Sequence, residues 1–232
     1  MQTKIELCQV AYHDDSMVTL WLHRPNNNLY TLPTVDLPTD PTNLPDSLLD
    51  FSQSILKQHF PLDNLSTKQI QIAPAKIDNQ SDKALTIPIM IYLTQAQALQ
   101  ILDNKTHNDS SIWNQQAVFL SKTNLPDSHH DTVKNQYNTI LEFVNDDLQA
   151  HSLKNIHWLL PDPFTAKQIS SMLTSITGRF IKRNNIRRDF LNQTKVVGKD
   201  HSHVGYPANL FQYDPTRFNI ADKPKLKGDH KI

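Results

Sequence analysis

The run Lys182-Arg183-Asn184-Asn185-Ile186-Arg187-Arg188 gathers the side chains of this sequence best suited to recognising a nucleic acid. An arginine fork meets the O6/N7 pair of guanine, an asparagine amide meets the N6/N7 pair of adenine, and either holds a phosphate oxygen. Placed on a helix over Arg183–Leu191, Arg183 with Arg187 and Asn184 with Arg188 stand one turn apart, while Ile186 and Phe190 form an apolar seam. A second basic set follows. Lys195-Val196-Val197 and Asn209-Leu210-Phe211-Gln212-Tyr213 read as two strands, and the loop between them carries Gly198, Lys199, His201, His203 and Gly205. The expected DNA-binding residues are Lys182, Arg183, Asn184, Asn185, Arg187, Arg188, Lys195, Lys199, His201 and His203.

A supporting helix must stand in front of the cationic one. Phe164-Thr165-Ala166-Lys167-Gln168-Ile169 is a marked helix start: Thr165 and Gln168 form a capping box, with Phe164 and Ile169 at hydrophobic-staple positions. Ile169, Met172, Leu173 and Ile176 make one apolar stripe, and Gly178 stands where the helix should end. Two helices joined by the short link Arg179–Lys182, the second cationic, followed by a hairpin, describe a winged helix-turn-helix.

The overall charge of zero conceals a split. Residues 161–232 hold 13 Lys and Arg against six Asp, a net +7, and the first 160 residues carry −7. Without the tail 221–232 the C-terminal segment still keeps +5, so the tail does not account for the excess. A basic binding module joined to an acidic body is the expected arrangement.

Other chemistries find little material. Eleven histidines invite a metal reading at His129-His130 or His201-x-His203, but neither pair has a third ligand beside it, and no metal site is expected. Cys8 is the single cysteine and lies in a predicted strand, which points to a core residue and a reducing compartment. No P-loop, G-x-S-x-G or dinucleotide fingerprint occurs, and four glycines leave little for a phosphate-cradling loop. No signal peptide or membrane span is read, so the expected location is the cytoplasm.

The acidic body reads as mixed β and α. A hairpin is expected from strands at 5–10 and 18–22 turning at His13–Ser16, then a proline-crowded loop over 31–46. Asp46 or Ser47 caps a helix carrying Leu48, Phe51, Ile55 and Leu56. Residues 85–93 form a strand that Pro88 should confine to an edge or bulge, and 117–120 form another. Val133, Tyr137, Ile140, Val144 and Leu148 define an amphipathic helix after a boundary within 120–132.

Leu159-Leu160-Pro161-Asp162-Pro163-Phe164-Thr165, Ile176-Thr177-Gly178 and Asn185-Ile186-Arg187-Arg188 resemble the C-terminal half of the Nudix-related transcriptional regulators, the NrtR-like family. Family members typically read LLP-x-x-FT, a helix ending in Gly, RNFRR, and a wing with a G-R-P step. Here Ile186 replaces the Phe, Asn184 the first Arg, and Gly205-Tyr206-Pro207 the wing step, so Tyr206 stands in place of an arginine. The resemblance covers residues 112–218 well. Over 4–93 it is weaker but colinear, through Arg24, Leu32-Pro33 and Pro45-Asp46-Ser47-Leu48.

The resemblance implies an α+β chain: a Nudix-like α/β/α sandwich over 1–125, a winged helix over 126–220 and a flexible basic tail over 221–232. It also implies a homodimer on a double-stranded operator, acting as a repressor of NAD or nucleotide-cofactor metabolism. The effector would be an NAD-related nucleotide such as ADP-ribose, NAD or ATP; its binding residues are not assigned. Nudix hydrolysis needs G-x5-E-x7-R-E-U-x-E-E-x-G-U, whose glutamates hold Mg²⁺. With the last apolar position at Leu62, Asp40 takes the first Gly, Asp46 the first Glu, Ser54-Ile55 the Arg-Glu pair and Gln58-His59 the Glu-Glu pair. The only glutamates are Glu6 and Glu142, both outside this helix, so no catalytic residue, cofactor or enzymatic activity is expected. Two alternatives stay open: a nucleotide-pyrophosphate hydrolase with a basic appendage, and a winged helix that binds protein alone.

Overall fold

Turns with unusual backbone set the frame of the first sheet. In the computed structural model, Asp14 and Asp15 adopt φ of 47° and 57°, the paired left-handed conformation of a tight hairpin turn. They join β1 (Thr3–His13) to β2 (Ser16–Arg24). The structure describes residues 3–26, 28–38, 45–60, 62, 64–77, 85–103, 116–126, 130–202 and 206–217.

β3 (Leu29–Thr31), β4 (Thr34–Asp36), β5 (Ile70–Ile72), β6 (Lys76–Ile77), β7 (Leu85–Tyr92) and β8 (Ala117–Ser121) complete an eight-stranded sheet. Its main path runs β3-β2-β1-β7-β5, with β4 on β1, β6 on β7 and β8 on β2. β1 and β7 are parallel over eight residue pairs, Thr3↔Leu85 to Val10↔Tyr92. β1 is accordingly buried on both faces, with Ile5 and Leu7 on one and Cys8 and Val10 on the other. Burial also pushes the Cys8 thiol well up from its ordinary pKa.

Two sequence expectations need correction here. β7 is an interior strand despite Pro88, because its antiparallel neighbour is interrupted at that point. β5 pairs with Ile89–Ile91 and β6 with Leu85–Thr86, so no ladder donor is demanded of Pro88, whose carbonyl accepts from the Ala73 amide at 2.9 Å. The segment 31–46 is not loop throughout. Thr31 ends β3, and Thr34–Asp36 pairs with Lys4–Glu6 of β1 as β4. Pro33 does not disrupt this pairing, since its carbonyl accepts from the Leu7 amide.

Helix α1 (Leu48–His59) is capped by Ser47, whose hydroxyl accepts from the Asp50 amide at 3.3 Å, so Ser47 rather than Asp46 starts it. Leu56 of α1 and Ala98 and Ile101 of α2 (Gln95–Asp103) are buried with Ile5, Leu7, Leu20, Ile89 and Ile91 in one apolar cluster. Leu48, Phe51 and Ile55 pack against it while partly exposed. Gln69 ties the turn Thr67–Gln69 to this sheet: its Nε2 donates to the Tyr92 carbonyl at 2.7 Å and to Gln97 Oε1 at 2.9 Å.

The chain divides into two compact units, Met1–Ala11 with Val18–Tyr137, and Tyr12–Met17 with Asn138–Ile232. The division falls inside α3 (His130–His151), whose stripe Val133, Tyr137, Ile140, Val144 and Leu148 is buried throughout. Ser152, at φ 54°, breaks α3 from the short α4 (Leu153–Ile156).

In the second unit, α5 (Ala166–Thr177) begins with the capping box read from the sequence. The Thr165 hydroxyl accepts from the Gln168 amide, and Gln168 Oε1 accepts from the Thr165 amide at 2.7 Å. It ends at Gly178, left-handed at φ 63°. α6 covers Arg183–Asp189, two residues shorter than expected, because Leu191–Gln193 tightens into a 3₁₀ turn. β10 (Thr194–Asp200) and β11 (Ala208–Tyr213) form an antiparallel hairpin with a bulge between Val196 and Gly198. β9 (Phe164–Thr165) adds a third strand on β11, a pairing the sequence reading did not include. Among the described residues no helix is long and apolar enough to cross a membrane.

Candidate nucleic-acid interface

α6 separates its faces sharply. Ile186 and Phe190 are buried to 1% and 0%, and Asp189 lies with them at 8%. Asn184 and Arg188, one turn apart, are exposed, and Asn185 is half-buried. Lys182 is the exposed N-cap residue, and its carbonyl accepts from the amides of Asn185 and Ile186. Arg183 and Arg187 belong to the same helix, but their side chains lie outside the described residues.

The end of α6 is held by a polar hub. Gln193 is buried, and its Nε2 donates to the Asp189 carbonyl at 3.1 Å and to the Ser152 hydroxyl at 2.6 Å. Its Oε1 accepts from the Leu153 amide at 3.3 Å, so both ends of the amide are occupied. A second buried group steadies the same junction. One Asp147 oxygen accepts from His151 Nδ1 at 2.7 Å and from Asn155 Nδ2 at 2.8 Å.

Arg188 is engaged by its neighbour. Its Nε and Nη2 donate to the two Asp189 carboxylate oxygens at 2.5 and 2.8 Å. The hydrogen bond and the adjacent negative charge raise the guanidinium pKa further.

On the hairpin, Lys195, Lys199 and His201 are exposed. Lys195 stands opposite Gln212 and Lys199 opposite Asn209, on either side of the bulge. His203 and Gly205 lie outside the described residues, as do His129 and the tail 221–232. Val196, Val197, Tyr206 and Phe180 are also exposed, so this surface mixes cations with apolar and aromatic groups. Cations of this kind can meet phosphates, and apolar groups can meet thymine methyls. Arg217, another cation of the unit, is tied down: it donates to the Thr194 carbonyl at 2.7 Å and pairs with Asp214.

Solved structures share this architecture across nearly the whole chain. NrtR from Shewanella oneidensis matches over 94% of this chain and 96% of its own, at 19% identity and a TM-score of 0.66. The same protein complexed with a 27mer DNA matches over 93% and 94%, at 18% identity and 0.68. The chain has the NrtR fold. A MutT/nudix family protein from Enterococcus faecalis matches more loosely, over 92% and 88%, at 12% identity and a TM-score of 0.59. No family model and no curated protein matches the sequence.

The mixed α/β architecture matches a Nudix-like fold, and α1, where the sequence resemblance puts the metal-binding positions, can be tested for metal chemistry. Its positions Ser54, Ile55, Gln58 and His59 offer a hydroxyl, an aliphatic group, an amide and an imidazole whose pKa burial lowers. Magnesium demands several anionic oxygens, and this set does not fit it. Asp40 lies outside the described residues, and Asp46 precedes the helix as an exposed bend. No group of three or more His, Cys, Asp or Glu able to hold a metal occurs among the described residues.

The sequence reading did not find Gln193, Ser152, Asp147 or Asn155. The Gln193 partners lie 40 and 41 residues upstream, and no local spacing signals such a hub. The Arg188–Asp189 pair was adjacent in sequence, but neighbours on a helix do not ordinarily face one another.

Proposed function

We propose that this protein is a ligand-responsive transcription regulator that binds double-stranded DNA through its C-terminal unit. The observation that carries the reading is α6: a short helix seated on Ile186 and Phe190, presenting Asn184 and Arg188 to solvent, and followed by a hairpin with exposed Lys195, Lys199 and His201. In this reading α5 and α6 form the helix-turn-helix, β10 and β11 the wing, and residues 126–220 the DNA-binding domain. A protein of the same fold has been crystallised with DNA, which supports the assignment.

Residues 1–125 serve as a non-catalytic Nudix-like sensor. The donor set on α1 gives no place for the metal on which the hydrolytic reaction depends. The resemblance in the C-terminal motifs supplies the rest: a cytoplasmic homodimer repressing genes of NAD or nucleotide-cofactor metabolism, with an NAD-related nucleotide as effector and residues 221–232 as a basic tail.

Selection of duplexes from a randomised pool by the full-length protein, followed by mobility shift, tests the core claim. Enrichment of a roughly palindromic site is expected, with affinity falling steeply as salt rises. Absence of any enriched duplex would overturn it. A thermal-shift screen with ADP-ribose, NAD and ATP tests the sensor, since a ligand of the native state raises the melting temperature. Mg²⁺-dependent turnover of ADP-ribose would return the hydrolase to first place.

A further inference from the structure

We infer that Asp189 is a positioning residue that fixes the Arg188 guanidinium so that its remaining edge meets a pair of hydrogen-bond acceptors on duplex DNA. The inference rests on the DNA-binding reading above and names how its reading helix achieves selectivity.

A guanidinium has five N–H donors in one plane. Asp189 takes the Nε donor and one Nη2 donor, leaving one donor on Nη1 and one on Nη2 side by side on the free end-on edge, with the second Nη1 donor turned back beside Cδ. That edge suits two acceptors side by side, either O6 and N7 of guanine or two phosphate oxygens. The burial is asymmetric: the Arg188 side chain is 62% exposed and that of Asp189 8%. The carboxylate therefore serves as the fixed member and the guanidinium as the presented one.

Asp189 is itself anchored. Its carbonyl accepts from Gln193 Nε2, and the Gln193 side chain also bonds Ser152 and Leu153. These bonds hold the Asp189 backbone to the α3–α4 junction, and the buried side chain on that backbone holds the guanidinium plane. Fixing a side chain before binding lowers the ordering cost when DNA arrives and penalises acceptors out of line. A stability role explains Asp189 less well, because an ion pair with an exposed arginine contributes little to folding. A carboxylate near a phosphate surface would otherwise only weaken binding.

This gives opposite signs to one substitution. Asp189→Asn removes a negative charge while keeping the side-chain volume. If Asp189 merely neutralised Arg188, the variant would bind every duplex more tightly. If it positions Arg188, affinity for the selected duplex falls roughly tenfold while affinity for unselected DNA holds or rises. Arg188→Ala should match that loss, and adding Asp189→Asn to Arg188→Ala should cost the selected duplex no further affinity. This cycle separates positioning from any general softening of α6, which would persist in the Arg188→Ala background.

Duplexes carrying 7-deazaguanine or single methylphosphonates then identify the acceptor. One modification should cost the wild type affinity and leave Arg188→Ala unaffected. Tighter binding by Asp189→Asn, an undiminished Asp189→Asn effect without Arg188, or indifference to both modified duplexes would overturn the inference. Failure of the regulator reading shows itself differently, as a wild-type protein that selects no duplex at all.

Discussion

Helices α1 and α6 both turn a polar face to solvent, yet the two faces are built differently. The exposed residues of α1 are Asp50, Ser54, Lys57 and Gln58, a mixture of charges and small polar groups characteristic of a solvated surface. The exposed face of α6 carries Asn184 and Arg188, with Arg188 held in a bidentate pair above a buried carboxylate. The positions Ser54, Ile55, Gln58 and His59 that the sequence resemblance aligns with the Nudix metal ligands offer no carboxylate. The same architecture is shared with a MutT/nudix family protein, and an architecture by itself does not set the chemistry.

The sharpest way to break this comparison is to strip both helices equally. Changing Arg187 and Arg188 together to Ala should reduce affinity for the selected duplex by roughly a hundredfold or more, from two lost base or phosphate contacts. Changing the exposed Lys57 and Gln58 of α1 to Ala should alter it less than about twofold, an ordinary change in surface charge. Quantitative mobility shift at fixed salt reads both. Equal losses would mean that α6 has no privileged role.

Much of this contrast was legible in the residues. The capping box at Thr165 and Gln168, the stop at Gly178, the apolar stripe of α3 and the hairpin after α6 are local patterns, and local patterns survive folding. What escaped the sequence is non-local. Pro88 lies within an interior strand because a gap in β5–β6 happens to face it. Phe164 and Thr165, read only as a helix start, also form an edge strand on β11. The absence of glutamate from α1 needed only counting, whereas the hub at Gln193 needed coordinates.

That hub offers a second test, because each unit has a buried glutamine that ties separate segments together. Gln193→Ala leaves the Leu153 amide and the Ser152 hydroxyl without a partner, at about 1–3 kcal/mol for each buried group. Gln69→Ala likewise removes the Gln69 bonds to the Tyr92 carbonyl and the Ser66 amide in the sheet unit. Both variants should melt earlier by calorimetry. Below the melting transition only Gln193→Ala should also weaken DNA binding, since only Gln193 braces α6. Gly178→Ala should cost less, about 1–2 kcal/mol, because a Cβ there meets no atom within 4 Å and only the left-handed φ resists it. Gly178→Asn should recover part of that loss in the same melts.

The smallest effect expected concerns acid. His157 stacks on Tyr213 of β11 with ring centroids 4.2 Å apart, and its Nδ1–H donates to the Leu153 carbonyl at 3.0 Å. Burial outweighs the carbonyls that favour its charged form, so its pKa lies below the ordinary 6.5. The sign follows from linkage. The unfolded chain takes up the proton first as pH falls through 6.5, so stability is full above that value and declines below it until the folded imidazole is also charged. His157→Phe keeps a ring against Tyr213 and removes the titration. It should therefore melt somewhat lower than the wild type near neutrality, for want of the Nδ1 hydrogen bond, yet lose less stability between about pH 7 and pH 5.5. An unchanged pH dependence in the variant would place the acid-sensitive group elsewhere, with His59 at the end of α1, whose pKa burial also lowers, the next to substitute. The acid response would then belong to the sheet unit instead of the one that holds His157.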